Sequence, residues 1–178
     1  MVEFLRAVGL QGASVLEVGG GVGEIEVELL QAGATRAQNL ELSPAYQQPA
    51  RALAAQAGGQ GRIDWRIHDL AQHPGRWRRP TWWSCIGWCA ATRTMRGCWA
   101  LPPDHAQRAL VFSYPPRNLL SRAFYGGFNL VMRLTGSGFR GFAHPPGAML
   151  GVLEDHGLRR TYQGRSRIWQ VAGLERVS

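Results

Sequence analysis

The stretch that most constrains this chain is Ser14-Val15-Leu16-Glu17-Val18-Gly19-Gly20-Gly21-Val22-Gly23-Glu24-Ile25. Val15, Leu16 and Val18 make the short apolar run of a buried parallel strand. The glycines after it permit a tight turn and let a ligand approach the backbone with no Cβ in the way. Ile25, Val27, Leu29 and Leu30 then mix with Glu24, Glu26 and Glu28, which suits a helix carrying acids in its positive first turn. Strand, glycine turn and helix in that order predict an α/β fold with a nucleotide-type cradle at the carboxyl end of its first strand.

The spacing narrows the ligand. A dinucleotide fingerprint requires G-x-G-x-x-G, with a pyrophosphate on the helix N-terminus. Counted from Gly19 and Gly21, the third glycine position is Glu24; counted from Gly21 and Gly23, it is Glu26. A carboxylate there would repel a diphosphate, which disfavours NAD and FAD. A phosphate-free sulfonium cation is compatible with acids around the turn, and Glu17, two residues before the first glycine, agrees. These residues resemble motif I (E-V-G-x-G-x-G) of the Rossmann-like, class I SAM-dependent methyltransferases. The resemblance implies a three-layer α/β sandwich whose mostly parallel sheet has about seven strands, the last antiparallel. It implies S-adenosyl-L-methionine as cofactor and a small-molecule methyl acceptor. Backbone approach would come at Gly19, Gly20, Gly21 and Gly23, and Glu17 would orient the turn and the ligand's amino end. No metal is expected.

The rest of the chain extends this reading. Val2 to Val8 is a short amphipathic helix preceding the first strand. Gly33 is a C-cap for the helix after the glycine turn. Residues 37 to 42 read as a second strand, with Glu41 22 residues past Gly19, near the ~20-residue spacing at which an acid meets ribose hydroxyls. Leu42 follows it directly, and Tyr46, early in the next helix (Ala45 to Ala57), is placed to border the cofactor. Residues 62 to 70 alternate apolar and polar, as a third strand does. The resemblance makes Asp69 the acid that contacts the adenine amino group, with Leu70 supplying the next backbone N–H; His68 reads as a packing or solvated histidine.

A fourth apolar strand is expected next, and residues 76 to 103 do not read as one. They hold five arginines, no acid, five of the seven Trp and all three Cys, without a period of 2 or 3.6. Cys85, Cys89 and Cys98 with His105 match no common zinc spacing. Interleaved Arg and Trp would suit single-stranded RNA. A third explanation is translation out of frame. Reading each codon from the third base of its predecessor, with GC-leaning wobble bases, converts the segment to A-V-E-A-A-D-V-V-V-L-H-R-V-V-C-C-Y-P-D-Y-E-R-L-L-G-A-A-A. That string has an acid, an apolar strand and an amphipathic helix, and resembles the family's fourth-strand motif.

Ala109 to Ser113 is a fifth strand, broken by Tyr114-Pro115-Pro116. A helix follows from about Asn118 to Leu134, with Leu119, Leu120, Phe124, Phe128, Val131 and Leu134 expected on one broad apolar face. That face would serve as a cap over a substrate pocket or as an interfacial helix touching a membrane peripherally. His144, in the loop after it, is the candidate general base, against a structural or orienting role. Pro146 to His156 is a helix, and Leu158 to Tyr162 pairs with Ile168 to Leu174 as a hairpin.

At 178 residues the expectation is one domain. No apolar run approaches the ~20 residues of a membrane span and the first residues are not a signal peptide, so a cytoplasmic location is expected. The net charge of +8 is carried entirely by arginine, a signature of GC-rich coding as much as of nucleic-acid binding, which is not favoured. Two other function classes compete with the enzyme: an inactive methyltransferase-like binding protein, and an RNA-binding protein using the basic aromatic segment.

Overall fold

The computed structural model describes residues 1–69, 73, the backbone of 82–85, 106–136, 141–165 and 169–177. Its elements are α1 (Val2–Val8), β1 (Ser14–Val18), α2 (Glu24–Gln31), β2 (Arg36–Glu41), a 3-10 turn (Pro44–Tyr46), α3 (Gln47–Gln56) and β3 (Ile63–Ile67). After these come β4 (Trp82–Cys85), β5 (Ala109–Tyr114), α4 (Leu119–Leu134), α5 (Pro146–Asp155), β6 (Leu158–Arg165) and β7 (Gln170–Arg176).

Two three-stranded blocks form the sheet. In one, β3-β2-β1, all strands are parallel; in the other, β5-β7-β6, the last strand of the chain runs antiparallel to both neighbours. The four-residue β4 pairs in parallel with β1 and β5, giving the order β3-β2-β1-β4-β5-β7-β6. The missing fourth strand expected from the sequence is thereby corrected: a backbone strand does form at Trp82–Cys85. Trp82-Trp83-Ser84-Cys85 has no alternation of apolar and polar residues to mark it as a strand.

Pleat alternation splits the core in two. Leu16, Val18, Leu110 and Phe112 face one side, where α5 covers them with Met149 and Leu153. Val15, Ala109 and Val111 face the other, under α1 and α2, with Phe4, Leu5, Val27 and Leu29. Helices on both faces of a largely parallel sheet are the three-layer arrangement that β1 and β5 require, because both strands bury apolar residues on each face. The first crossover, β1-α2-β2, therefore delivers the glycine turn and the end of β2 to the same edge of the sheet.

Two local expectations are corrected. In the hairpin β6 is longer than the sequence suggested, running on to Arg165, and β7 is shifted two residues later, to Gln170–Arg176. On α4 the residues expected to share one apolar face divide: Phe128 is half-buried, while Leu119, Leu120, Phe124, Val131 and Leu134 are exposed.

Candidate functional site

The glycine turn is built on left-handed backbone. Gly19 (φ 73°), Gly21 (φ 57°) and Gly23 (φ 82°) all take conformations that L side chains avoid. Gly20 is required for a different reason: a Cβ there would lie 2.6 Å from Asn39 Nδ2, 2.9 Å from Glu17 Cγ and 2.9 Å from Glu26 Oε1. Glu17 comes from β1, Asn39 from β2 and Glu26 from α2, and all three are fully buried. A polar cluster thus lies directly beneath the turn. Burial first, then the neighbouring charge of Glu17, pushes the Glu26 carboxyl well above the usual carboxylate range. A hydrogen bond with Glu17 acts in the same direction, and Asn39 and the Glu26 backbone pull back more weakly. Burial and Glu17 both disfavour the charged form of Glu26 in this buried cluster.

Glu26 is where the sequence misled. Read as a first-turn acid in the helix dipole, it is instead an inward residue in line with Leu29 and Leu30. The i, i+3, i+4 spacing of those three positions was the available signal.

The end of β2 meets the turn from the side. Gly21 N–H donates to Glu41 Oε2 (3.1 Å), and Leu42 and Ser43 N–H donate to Glu41 Oε1 at 2.7 and 3.0 Å. Glu41 thereby ties the turn to the start of the next helix. Around this carboxylate lies a small recess lined by Gly21, Glu41, Ser43, Tyr46, Gln47, Trp65, Arg66 and Ile67. The structure thus brings Gly21, Glu41 and Tyr46 together, as the sequence suggested. Trp65, Arg66 and Ile67 were not anticipated; their place at the carboxyl end of β3, beside β2, is what puts them there. The Trp65 ring also lies close to Gly23, where a Cβ would come within 3.3 Å of it.

Other expected residues are less tightly gathered. Asp69 is half-buried two residues beyond β3, its carbonyl accepting His73 N–H at 2.8 Å, and it does not line the recess. Leu70 lies outside the described residues, as do Cys89, Cys98 and His105, and only the backbone of Cys85 is described. His144 is half-buried against the Phe142 ring, 6.3 Å between centroids, away from the recess lining. Among the described residues no group of three His, Cys, Asp or Glu could hold a metal ion, and no helix is long and apolar enough to cross a membrane.

This arrangement corresponds to known structures. Magnesium protoporphyrin IX methyltransferase from Synechocystis PCC 6803, solved with bound SAH, superposes with a TM-score of 0.71 at 22% identity, over 99% of this chain and 80% of that one. A SAM-dependent methyltransferase from Methanosarcina mazei gives 0.72 at 12% identity, over 98% and 97%. Geranyl diphosphate C-methyltransferase from Streptomyces coelicolor A3(2), solved with Mg2+, geranyl diphosphate and S-adenosyl-L-homocysteine, gives 0.71 at 12%, over 99% and 79%. No protein-family model matches the chain, and no curated sequence does. The chain therefore has the α/β fold of the class I SAM-dependent methyltransferases, a likeness carried by structure at low sequence identity.

Proposed function

We propose that this chain, acting as one domain, transfers a methyl group from S-adenosylmethionine to a small-molecule acceptor. The observation that carries the reading is the conjunction of a left-handed glycine turn, a buried acid cluster beneath it and Glu41 beside it. The donor set fits a phosphate-free cation. Carboxyl groups under and beside the turn suit a sulfonium or ammonium group and oppose a diphosphate. S-adenosylmethionine supplies a methyl group already activated on sulfur.

The protein's own residues bind and orient. Gly19, Gly20, Gly21 and Gly23 give backbone access for the methionine portion, and Glu17 sets the turn from below and orients the amino end. Glu41 holds the ribose hydroxyls, flanked by Leu42, with Tyr46 and Trp65 forming apolar walls for the adenosyl group. Asp69 and the Leu70 N–H take the adenine edge. His144 is the candidate base where an acceptor needs one, against a structural or orienting role. Fixing donor and acceptor in line contributes on the order of 7–11 kcal/mol in favourable intramolecular systems, so positioning is the main contribution asked of the protein. Small acceptors are supported by the porphyrin and prenyl diphosphate named for two structural neighbours.

Calorimetry with S-adenosylmethionine tests the reading. One-site binding that weakens about tenfold in Glu41→Gln is expected, since the variant keeps the shape and loses the charge-assisted bond. No binding at millimolar ligand would favour an inactive, scaffold-like protein.

The out-of-frame reading of residues 76 to 103 belongs to the same proposal. Laid on this numbering, the shifted string carries V-V-V-L at positions 82 to 85, the positions of β4. An apolar strand there suits the central place that β4 holds between β1 and β5. Sequencing the coding DNA checks it: paired compensating indels near residues 75 and 103 in close relatives are expected, and an intact frame in all of them would overturn it.

A further inference from the structure

The most unusual surface of the molecule is α4. None of its 16 residues is buried. Ser121, Tyr125, Phe128, Asn129 and Met132 are half-buried and, at 100° per residue, fall within one sector of the helix. That sector is the attached side. Asn129 Nδ2 donates to the Gly141 carbonyl and Gly141 N–H donates to Asn129 Oδ1, both at 2.8 Å, and a Cβ at Gly141 would collide with the Tyr125 ring.

The opposite sector holds Leu119, Leu120, Phe124, Leu130, Val131 and Leu134, all exposed, with Leu119, Leu120 and Leu134 at 81%, 79% and 77%. In an ordinary surface helix the apolar stripe faces the protein and the polar stripe faces water. Here the helix is fastened by a side-chain amide and its most apolar face points outward.

We infer that α4 is a membrane-docking helix that lies in the plane of an anionic phospholipid surface. Charge selects this occupant. Arg122 and Arg133 border the apolar sector, Arg117 precedes the helix, and the helix itself carries no Asp or Glu. Arg117, Asn118, Leu119 and Arg122 also line an open recess at the start of the helix, where a headgroup phosphate could be met by two guanidiniums. A second copy of the chain is disfavoured by the same residues, because a two-fold contact through this face would set arginine edges against each other. At 16 residues the helix is about 24 Å long, short of a span but sufficient to bury one face at the headgroup boundary.

The test is co-sedimentation of the whole chain with vesicles of phosphatidylcholine alone or mixed with phosphatidylglycerol, without S-adenosylmethionine. The result is thus independent of the methyl-transfer reading, which calorimetry on the same samples checks separately. Binding is expected to the mixed vesicles only and to weaken with salt. Leu120→Ser with Phe124→Ser should lower it roughly a hundredfold, and Arg122→Gln with Arg133→Gln by about tenfold. Because these residues are exposed, neither pair should shift the thermal midpoint, and light scattering should report a monomer. Absence of binding to mixed vesicles, equal binding by the Ser variant, a large drop in its midpoint, or a dimer that the Ser variant dissolves would each overturn the inference.

Discussion

Leucine behaves in opposite ways in two regions of this chain. In β1 and α2, Leu16 and Leu29 are sealed between sheet and helix, and even the carboxylates of Glu17 and Glu26 are drawn in with them. In α4, Leu119, Leu120 and Leu134 stand in solvent, and the residues turned toward the protein include an asparagine and a serine. The first region spends apolar surface on its own core. The second keeps it available. Composition does not separate the two, since both helices are rich in Leu and Val. What separates them is where the apolar positions fall relative to the backbone that anchors each helix.

Substitutions at matched positions sharpen that contrast. Leu16→Ala, which opens a cavity in the core layer under α5, should cost about 2–5 kcal/mol in urea unfolding. Gly20→Ala should cost about 1–3 kcal/mol, because its Cβ overlaps three buried side chains that have nowhere to relax. Leu120→Ala, the same chemistry as the first change, should stay within about 0.5 kcal/mol of the parent. If the α4 substitution proved as costly as the core one, the two regions would not differ as described.

Between these extremes lies a pH effect. The folded pKa of Glu26 is raised above its ordinary value of 4.5, so the folded protein holds a proton that the unfolded chain has released. Its contribution to stability is therefore full below pH 4.5 and is lost as pH rises through the folded value. Urea midpoints of Glu26→Gln, whose side chain has no proton to lose, should show a flatter decline from acid to neutral pH than the parent. Parallel curves for the two proteins would show that Glu26 is not protonated in the fold.

The same contrast explains how far the sequence could be read. The glycine turn, β2 ending in Glu41 and the closing hairpin were legible because each depends on local rules: positive φ at Gly19, Gly21 and Gly23, strand alternation, and a short connection. Burial of Glu26 was harder, because a glutamate in a helix's first turn has a sufficient local explanation in the dipole. The inward direction comes only from packing against β1 and β2. Trp65 and Ile67 joined the site through strand order, which no single segment encodes. The outward face of α4 was legible as an apolar stripe, but its direction depends on Asn129 meeting Gly141 twelve residues away.

The central claim is that a turn of bare backbone over a buried acid cluster forms the adenosyl site. A crystal structure with S-adenosylhomocysteine tests it most directly. The account predicts the ribose on Glu41 and the adenine between Tyr46 and Trp65, with the amino acid end over Gly19 to Gly21. Ligand bound elsewhere, or bound with Glu41 still engaged only with the N–H groups of Gly21, Leu42 and Ser43, would contradict it.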